Sequence, residues 1–343
     1  MERLNSLETS PHNHFDVWCL QISDKDLKNH PQCCIMRTYI PITAVIMMQN
    51  VEDEFHYSEE ECALALFRAK WANGFCCPRC GHGRSYRIQT RRLPLFECAN
   101  CHTQTSLTVN TVMQGSKLPL TSWFRALQLH ASPTGVNALQ LSRIISVTYK
   151  SAWLLCHKIR HAMSSAEAGQ LLTGMVKLTG VIHCRQILTQ YLSSWHDREQ
   201  SLLVGVSESQ PGQFDRIKLK VQNKHALIRK RDQPDPASFV KQHVAAEARA
   251  TVVVTSVQQR NLDIRVNRVA LAARRWLAAL FGGIGPKHLQ VYLDQFCYDW
   301  NQKGAEKFAE LLHHCAQTKT ILYRELVSRT RPINADQAVQ TGA

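Results

Sequence analysis

Acidic residues are almost missing from nearly a third of this chain. From Leu64 to Met163 there are thirteen lysines and arginines and one acid, Glu97. A solubilising surface mixes both signs, so a one-signed stretch of this length points away from ordinary surface charge and toward a polyanion, nucleic acid above all. The chain as a whole has 343 residues and a formal net charge of +14, and most of that excess belongs to this one module. Long apolar runs are missing too. No stretch of ~18 apolar residues occurs, which excludes a helical membrane span. "YIPITAVIMM" (39–48) is too short to span a bilayer, and it lacks the charged start and small-residue cleavage site of a signal peptide. A cytoplasmic location is therefore expected. Cysteine is not scarce, but the count of thirteen is odd and four of them have metal-ligand spacing. A disulfide framework is not indicated, and the remaining cysteines read as small buried hydrophobes in a reducing compartment.

Residues 1–57 carry Pro11, Pro31 and Pro41, scattered charges and no sustained period, so a poorly ordered extension is expected there. Met47 or Met48 is a possible true start. "SEEECALALFRAKW" begins at Ser58 with Glu61 three residues on, a capping box that opens an amphipathic helix. Short alternating strands and turns follow to residue 118, and helical periods run over 119–163. After a linker at 164–173, strand-like runs are predicted at 175–183, 201–209, 216–222 and 250–256, with helices near 236–247, 264–281, 286–301 and 304–317. Four strands with one helix before the fourth and helices after it indicate an α/β second domain over 174–317, leaving 318–343 as a C-terminal tail.

Cys77 and Cys80, then Cys98 and Cys101, form two C-x2-C pairs seventeen residues apart. Two such knuckles joined by a hairpin close four thiolates around one tetrahedral Zn²⁺. Cys76 adjoins the motif but is out of register. Arg84, Arg87, Arg91 and Arg92 on the intervening hairpin suit phosphate contact. Downstream, "GVNALQLSRIISVTYKSAWLLCHKIRHAM" (135–163) shows two helical periods broken at "SVT". In the second helix Ala152, Leu155, Ile159 and Met163 form an apolar stripe. Lys150, His157 and His161 lie opposite it, with Lys158 and Arg160 flanking. This is the layout of a helix-turn-helix, and Lys150, His157, Lys158 and Arg160 are its candidate DNA contacts.

These segments resemble a bacterial insertion-sequence transposase family related to the eukaryotic Merlin elements. The resemblance is carried by "WANGFCCPRCG", "RRLPLFECANCHTQTSLT", "KLPLTSWFRA", "ALQLSRIISVTYKSAWLLCHKIRHAM" and, far downstream, "GPKHLQVYLDQF". It implies a zinc ribbon ahead of a catalytic domain of RNase H-like fold, a mixed sheet with flanking helices. It also implies double-stranded DNA at element ends as partner, a homo-oligomer, a nucleoid-associated location, and paired Mg²⁺ ions held by carboxylates and an asparagine during in-line phosphodiester displacement.

The resemblance also makes one absence informative. The family's first aspartate sits on the opening strand, where "LTGMVKLTGVIHC" (172–184) has no acid and places Thr179. The second corresponds to Ser256 and the third ligand to Ala272. Shifting the register restores nothing, because no acid lies between Glu167 and Asp197 or between Glu247 and Asp263. Hydroxyl and methyl side chains cannot hold two dications. The expected protein is therefore a transposase-derived, zinc-ribbon DNA-binding protein without cleavage or strand transfer, a pseudoenzyme kept as remnant or regulator, with no catalytic residues. The alternative is an active transposase using Mg²⁺ and displaced acids such as Asp197, Glu199, Asp263 or Asp294. A ribbon that binds only protein is a third reading. A nucleophile role for Cys184 beside His183 fails for want of an orienting acid.

Overall fold

The computed structural model describes residues 57–89, 91–184, 195–196, 198–210, 213–224, 235–255, 263–302 and 306–328. Nearly all of the N-terminal extension, with Met47 and Met48, lies outside these residues, as do Asp197, Ser256 and the tail after residue 328.

The first helix, α1 (Glu59–Lys70), opens as the sequence predicts: the Ser58 side chain accepts from the Glu61 N–H and Glu61 reaches back to the Ser58 N–H. Three short strands follow, β1 (Ser85–Ile88), β2 (Leu95–Cys98) and β3 (Gln104–Ser106), all antiparallel to their neighbours. Phe67 of α1 and Trp71 at its C-cap pack against Phe75 and Phe96 with ring centroids 5.1–5.4 Å apart, fastening this small sheet to the helix. The next helix, α2 (Leu120–Ala131), begins after Pro119, which makes no side-chain cap. Glu59 of α1 supplies one instead, accepting the N–H groups of Leu120 (3.1 Å) and Thr121 (3.2 Å), so a carboxylate meets the positive end of the helix. Asn137 caps α3 (Ala138–Ile144) and Thr148 caps α4 (Tyr149–Ala168), with Ser146 in the left-handed region between them.

The second half is a four-stranded sheet in the order β6-β5-β4-β7, with β4 (Met175–His183), β5 (Gln200–Gln210), β6 (Gln213–Gln222) and β7 (Val252–Thr255). Strands β4, β5 and β6 run antiparallel in turn, and β7 joins β4 in parallel. One face of the sheet carries α6 (Ile264–Phe281) and α7 (Pro286–Asn301) over a core that includes Leu202, Val204, Val206, Ile217 and Leu219. The opposite face carries α5 (Ala237–His243) and a 3-10 turn over Leu172, Val176, Leu178 and Leu203. Gly205 of β5 is needed there. A Cβ on it would lie 2.7 Å from Phe239 Cζ and 2.9 Å from side-chain carbons of Leu172 and Leu178.

Two features depart from the sequence-based expectation. Helix α4 continues to Ala168, through half of the expected linker, because Glu167 is buried and engaged: its carboxylate accepts from Asn301 (3.0 Å) and its carbonyl from Lys218. The last long helix, α8 (Lys307–Gln317), was expected with the second domain. It packs instead into the N-terminal core through Leu311, Leu312, Cys315 and Ala316. The short α9 (Tyr323–Val327) follows it.

The crowding at Gly205 yields a test of this packing. Gly205→Ala should lower unfolding stability by about 1–3 kcal/mol, the usual cost of overpacking a filled core. Chemical denaturation measures it, and an unchanged midpoint would mean that α5 does not press on the sheet at this point.

Candidate metal centre and nucleic-acid interface

The ribbon brings the four predicted cysteines together. Their sulfurs all lie within 4.8 Å of one another, with Cys77 to Cys101 and Cys80 to Cys98 both at 3.6 Å. Zn–S bonds of about 2.3 Å in a tetrahedron give S···S separations in this range. Each knuckle closes the same way. Gly81 donates its N–H to the Cys77 carbonyl (2.9 Å) and His102 to that of Cys98 (3.0 Å), both residues at positive φ. Glycine fits the first position without strain, and His102 adopts it at the second. Cys76 points its thiol at the Gly81 carbonyl, outside the cluster. The donor set suits zinc, which would be held by Cys77, Cys80, Cys98 and Cys101.

Among the expected DNA contacts, the structure separates exposed from committed side chains. Arg84, Arg87 and Arg91 are exposed on the ribbon hairpin. Arg92 is not available in the same way, since its guanidinium binds Glu59 at 2.8 Å and so supports the cap on α2. At the start of α4, Tyr149 and Lys150 are exposed, as is Arg143 just before the turn. Farther along α4 the expectation is corrected. His157, Lys158 and Arg160 are 1%, 7% and 1% exposed. Arg160 donates to Gln295 Oε1 (2.7 Å) and stacks on the Tyr292 ring at 4.1 Å. His157 packs against Trp153 and His288, and burial, then the Arg160 charge, holds its pKa down to about 3. Lys158 donates to the Gln114 carbonyl.

The physical reason is that α7 covers the side of α4 that helical periodicity marked as polar. Lys70 and Arg125 are also drawn inward. Lys70 binds the carbonyls of Leu107 (3.0 Å) and Val109 (2.7 Å), and Arg125 binds Gln128 (3.0 Å). Of the thirteen basic residues in the one-signed stretch, these two and Arg92, Lys158 and Arg160 serve the fold, and the other eight are exposed.

On the sheet, Thr179 is fully buried and pairs across β4–β5 with Val204, so it faces the layer under α6 and α7. Ala272 of α6 lies in that same layer. Neither offers an oxygen anion. Two residues before Thr179 on the same face, Lys177 makes ion pairs with Glu208 and with Asp263 (3.1 Å). Arg265 binds the same two acids, Asp263 at 2.8 Å and Glu208 at 3.5 Å. Arg265 first, then Lys177, holds the Asp263 carboxyl well below the usual range. Glu208 has no counterpart in the sequence-based reading, because a lone acid on a strand carries no motif. The other described acids considered for displaced chemistry are likewise engaged. Asp294 binds Lys220 (2.7 Å) and Gln290 (2.8 Å), and Glu199 accepts the His196 N–H (3.0 Å). Among the described residues, the one group of three or more metal-ligating side chains gathered in space is the cysteine cluster. The residues near Thr179 do not fit a Mg²⁺ pair, which requires carboxylate oxygens not already bound by cations.

The protein should contain about one zinc per chain when purified without added metal, by elemental analysis. Cys80→Ser should remove it and unfold the ribbon, since such a segment draws much of its folding energy from the metal. Cys76→Ser should retain it. Zinc lost equally from both variants would refute this ligand assignment.

No curated protein and no solved structure matches the chain. Residues 57–104 match the transposase zinc-ribbon domain of the IS1595 family. That match supports an insertion-sequence transposase, and together with the four-cysteine cluster it suggests a transposase-derived DNA-binding protein.

Proposed function

We propose that this protein binds double-stranded DNA at element ends or related sites through its zinc ribbon and helix-turn-helix, and neither cleaves nor joins the DNA it binds. The observation that carries the first part is the union of the ribbon, α3 and α4 in one hydrophobic core. That core leaves Arg143 exposed near the end of α3, and Tyr149 and Lys150 exposed at the N-terminal end of α4. A recognition helix presents base-edge contacts from its N-terminal residues, so burial of the rest of α4 is compatible with this role. Arg84, Arg87 and Arg91, exposed on the ribbon hairpin, supply phosphate contacts.

The second part is supported by Thr179 and Ala272 in the layer where the resembled family holds metal, and by the ion pairs of Lys177 with Glu208 and Asp263. A resident ammonium there neutralises the acids that a divalent cation would need. In this reading the second half is a degenerate RNase H-like domain. Its mixed sheet with helices on both faces is in keeping with that origin. Occupancy of a site without cleavage suits a regulator or a remnant, and self-association would place two ribbons on paired ends.

Two measurements test the proposal. Affinity of the full chain for duplex DNA should fall with salt, each phosphate contact adding about 0.9 to the log–log slope. Lys150→Ala should weaken binding while leaving zinc content unchanged; salt-independent affinity would refute the electrostatic interface. Incubated with the same DNA in Mg²⁺ or Mn²⁺, the chain should produce neither nicks nor joined products. Metal-dependent cleavage that disappears on Asp263→Asn or Asp294→Asn would establish the displaced-acid transposase instead.

A further inference from the structure

The segment after α8 is not a detached tail. Its first ten or so residues return to the DNA-binding module and are fixed there. Thr320 Oγ1 donates to the Val112 carbonyl at 3.0 Å, and Ile321 and Leu326 are buried. Lys287 of α7 holds the Val327 carbonyl at 2.7 Å. Helix α9 lies against the start of α4. The Tyr323 ring sits 5.1 Å from Lys150 Nζ and 6.1 Å from the Trp153 ring.

Beside this contact is an open cleft of about 540 Å³, lined on the arm by Lys319, Thr320, Arg324, Glu325 and Ser328 and on α4 by His161. Lys319 and Arg324 are exposed, and neither makes an ion pair with a described residue. The single acid of the cleft, Glu325, turns one carboxylate oxygen back to the Leu322 N–H at 2.6 Å, capping α9. The cleft therefore presents two cations outward along the side of α4, at His161, while Tyr323 of the same arm reaches back to Lys150 at the exposed end of that helix.

We propose that this C-terminal arm is part of the nucleic-acid interface, with Lys319 and Arg324 gripping the DNA phosphate backbone that flanks the groove occupied by α4. The inference rests on the DNA-binding reading above and extends it to residues that no motif marks. Tyr323 has a positioning role: it carries Lys150 on its ring and keeps Arg324, the next residue, beside the same end of α4. A groove-inserted helix needs backbone contacts on either side to set its register. The ribbon arginines and the arm are two exposed basic surfaces that could supply them.

The test compares full-length wild type, the neutral double variant Lys319→Ala with Arg324→Ala, and the charge-keeping double variant Lys319→Arg with Arg324→Lys. Binding to one duplex is measured across salt, with zinc content and thermal midpoint as folding controls. The neutral variant should weaken binding by roughly tenfold or more near 0.1 M salt and lower the salt slope by about 2, uniformly across DNA sequences. The charge-keeping variant should restore both. Unchanged affinity and slope in a folded neutral variant would overturn the proposal. So would tighter binding by that variant, which would make the arm a cover over Lys150. Absence of duplex binding by the wild-type chain would remove the DNA reading itself, and this inference with it.

Discussion

Helix α4 is buried along both of its sides, and most of the molecule is arranged by that constraint. One side supplies Ala152, Leu155, Ile159, Ala162 and Met163 to the core that also holds the ribbon, α1, α2 and α8. The other side meets α7 through Arg160, whose guanidinium lies 4.1 Å from the Tyr292 ring and 5.2 Å from that of Phe281 and binds Gln295. A buried guanidinium is costly unless its charge and hydrogens find partners. Two aromatic faces and an amide supply part of that here, so the α4–α7 contact is specific as well as apolar. Through it the ribbon-containing module and the sheet domain share one helix.

The same arrangement sorts the positive charge into two classes. Lys70, Lys158 and Arg160 act as internal donors to carbonyls and to an amide, and Arg92, on the surface, is tied to a carboxylate. Internal cations of this kind satisfy groups that loops and helix ends leave open, and they are withdrawn from solvent. The exposed class, on the hairpin, the first turn of α4 and the C-terminal arm, is smaller than the composition alone implies, but it is concentrated. On the sheet, cations do a third job. Lys177 and Arg265 share Glu208 and Asp263 in a four-member network. An ammonium that pairs two carboxylates stabilises their ionised forms without a metal. The network thus satisfies two acids in the layer around Thr179 from within the chain.

Much of this was legible beforehand. Strand β4 and helices α6 and α7 have the boundaries that periodicity predicts, and the α1 capping box forms as its S-x-x-E spacing requires. These are local signals, set by a few neighbouring residues and by backbone geometry. The metal site belongs with them, because a C-x2-C pair builds its own knuckle and two knuckles need only a hairpin to meet. The absence of acids from the opening strand is a property of the sequence itself, as is the one-signed charge.

What the sequence could not decide was which side of α4 would see water. Periodicity placed His157 opposite the apolar stripe with Lys158 and Arg160 flanking it, and a helix packed on one side only would expose them. His157 and Arg160 are buried because α7, more than a hundred residues downstream, covers that side, Tyr292 and Gln295 making the burial of a guanidinium tolerable, and Lys158 is drawn to the Gln114 carbonyl. The engagement of Arg92 with Glu59, the Lys177 network and the return of α8 and its arm to the N-terminal core have the same origin. Each joins residues far apart in the chain, and no local pattern encodes such a pairing. Sequence periodicity determined the elements and the metal knuckles. Burial and ion pairing are properties of the assembled surface, so only the tertiary structure decided which charges face solvent.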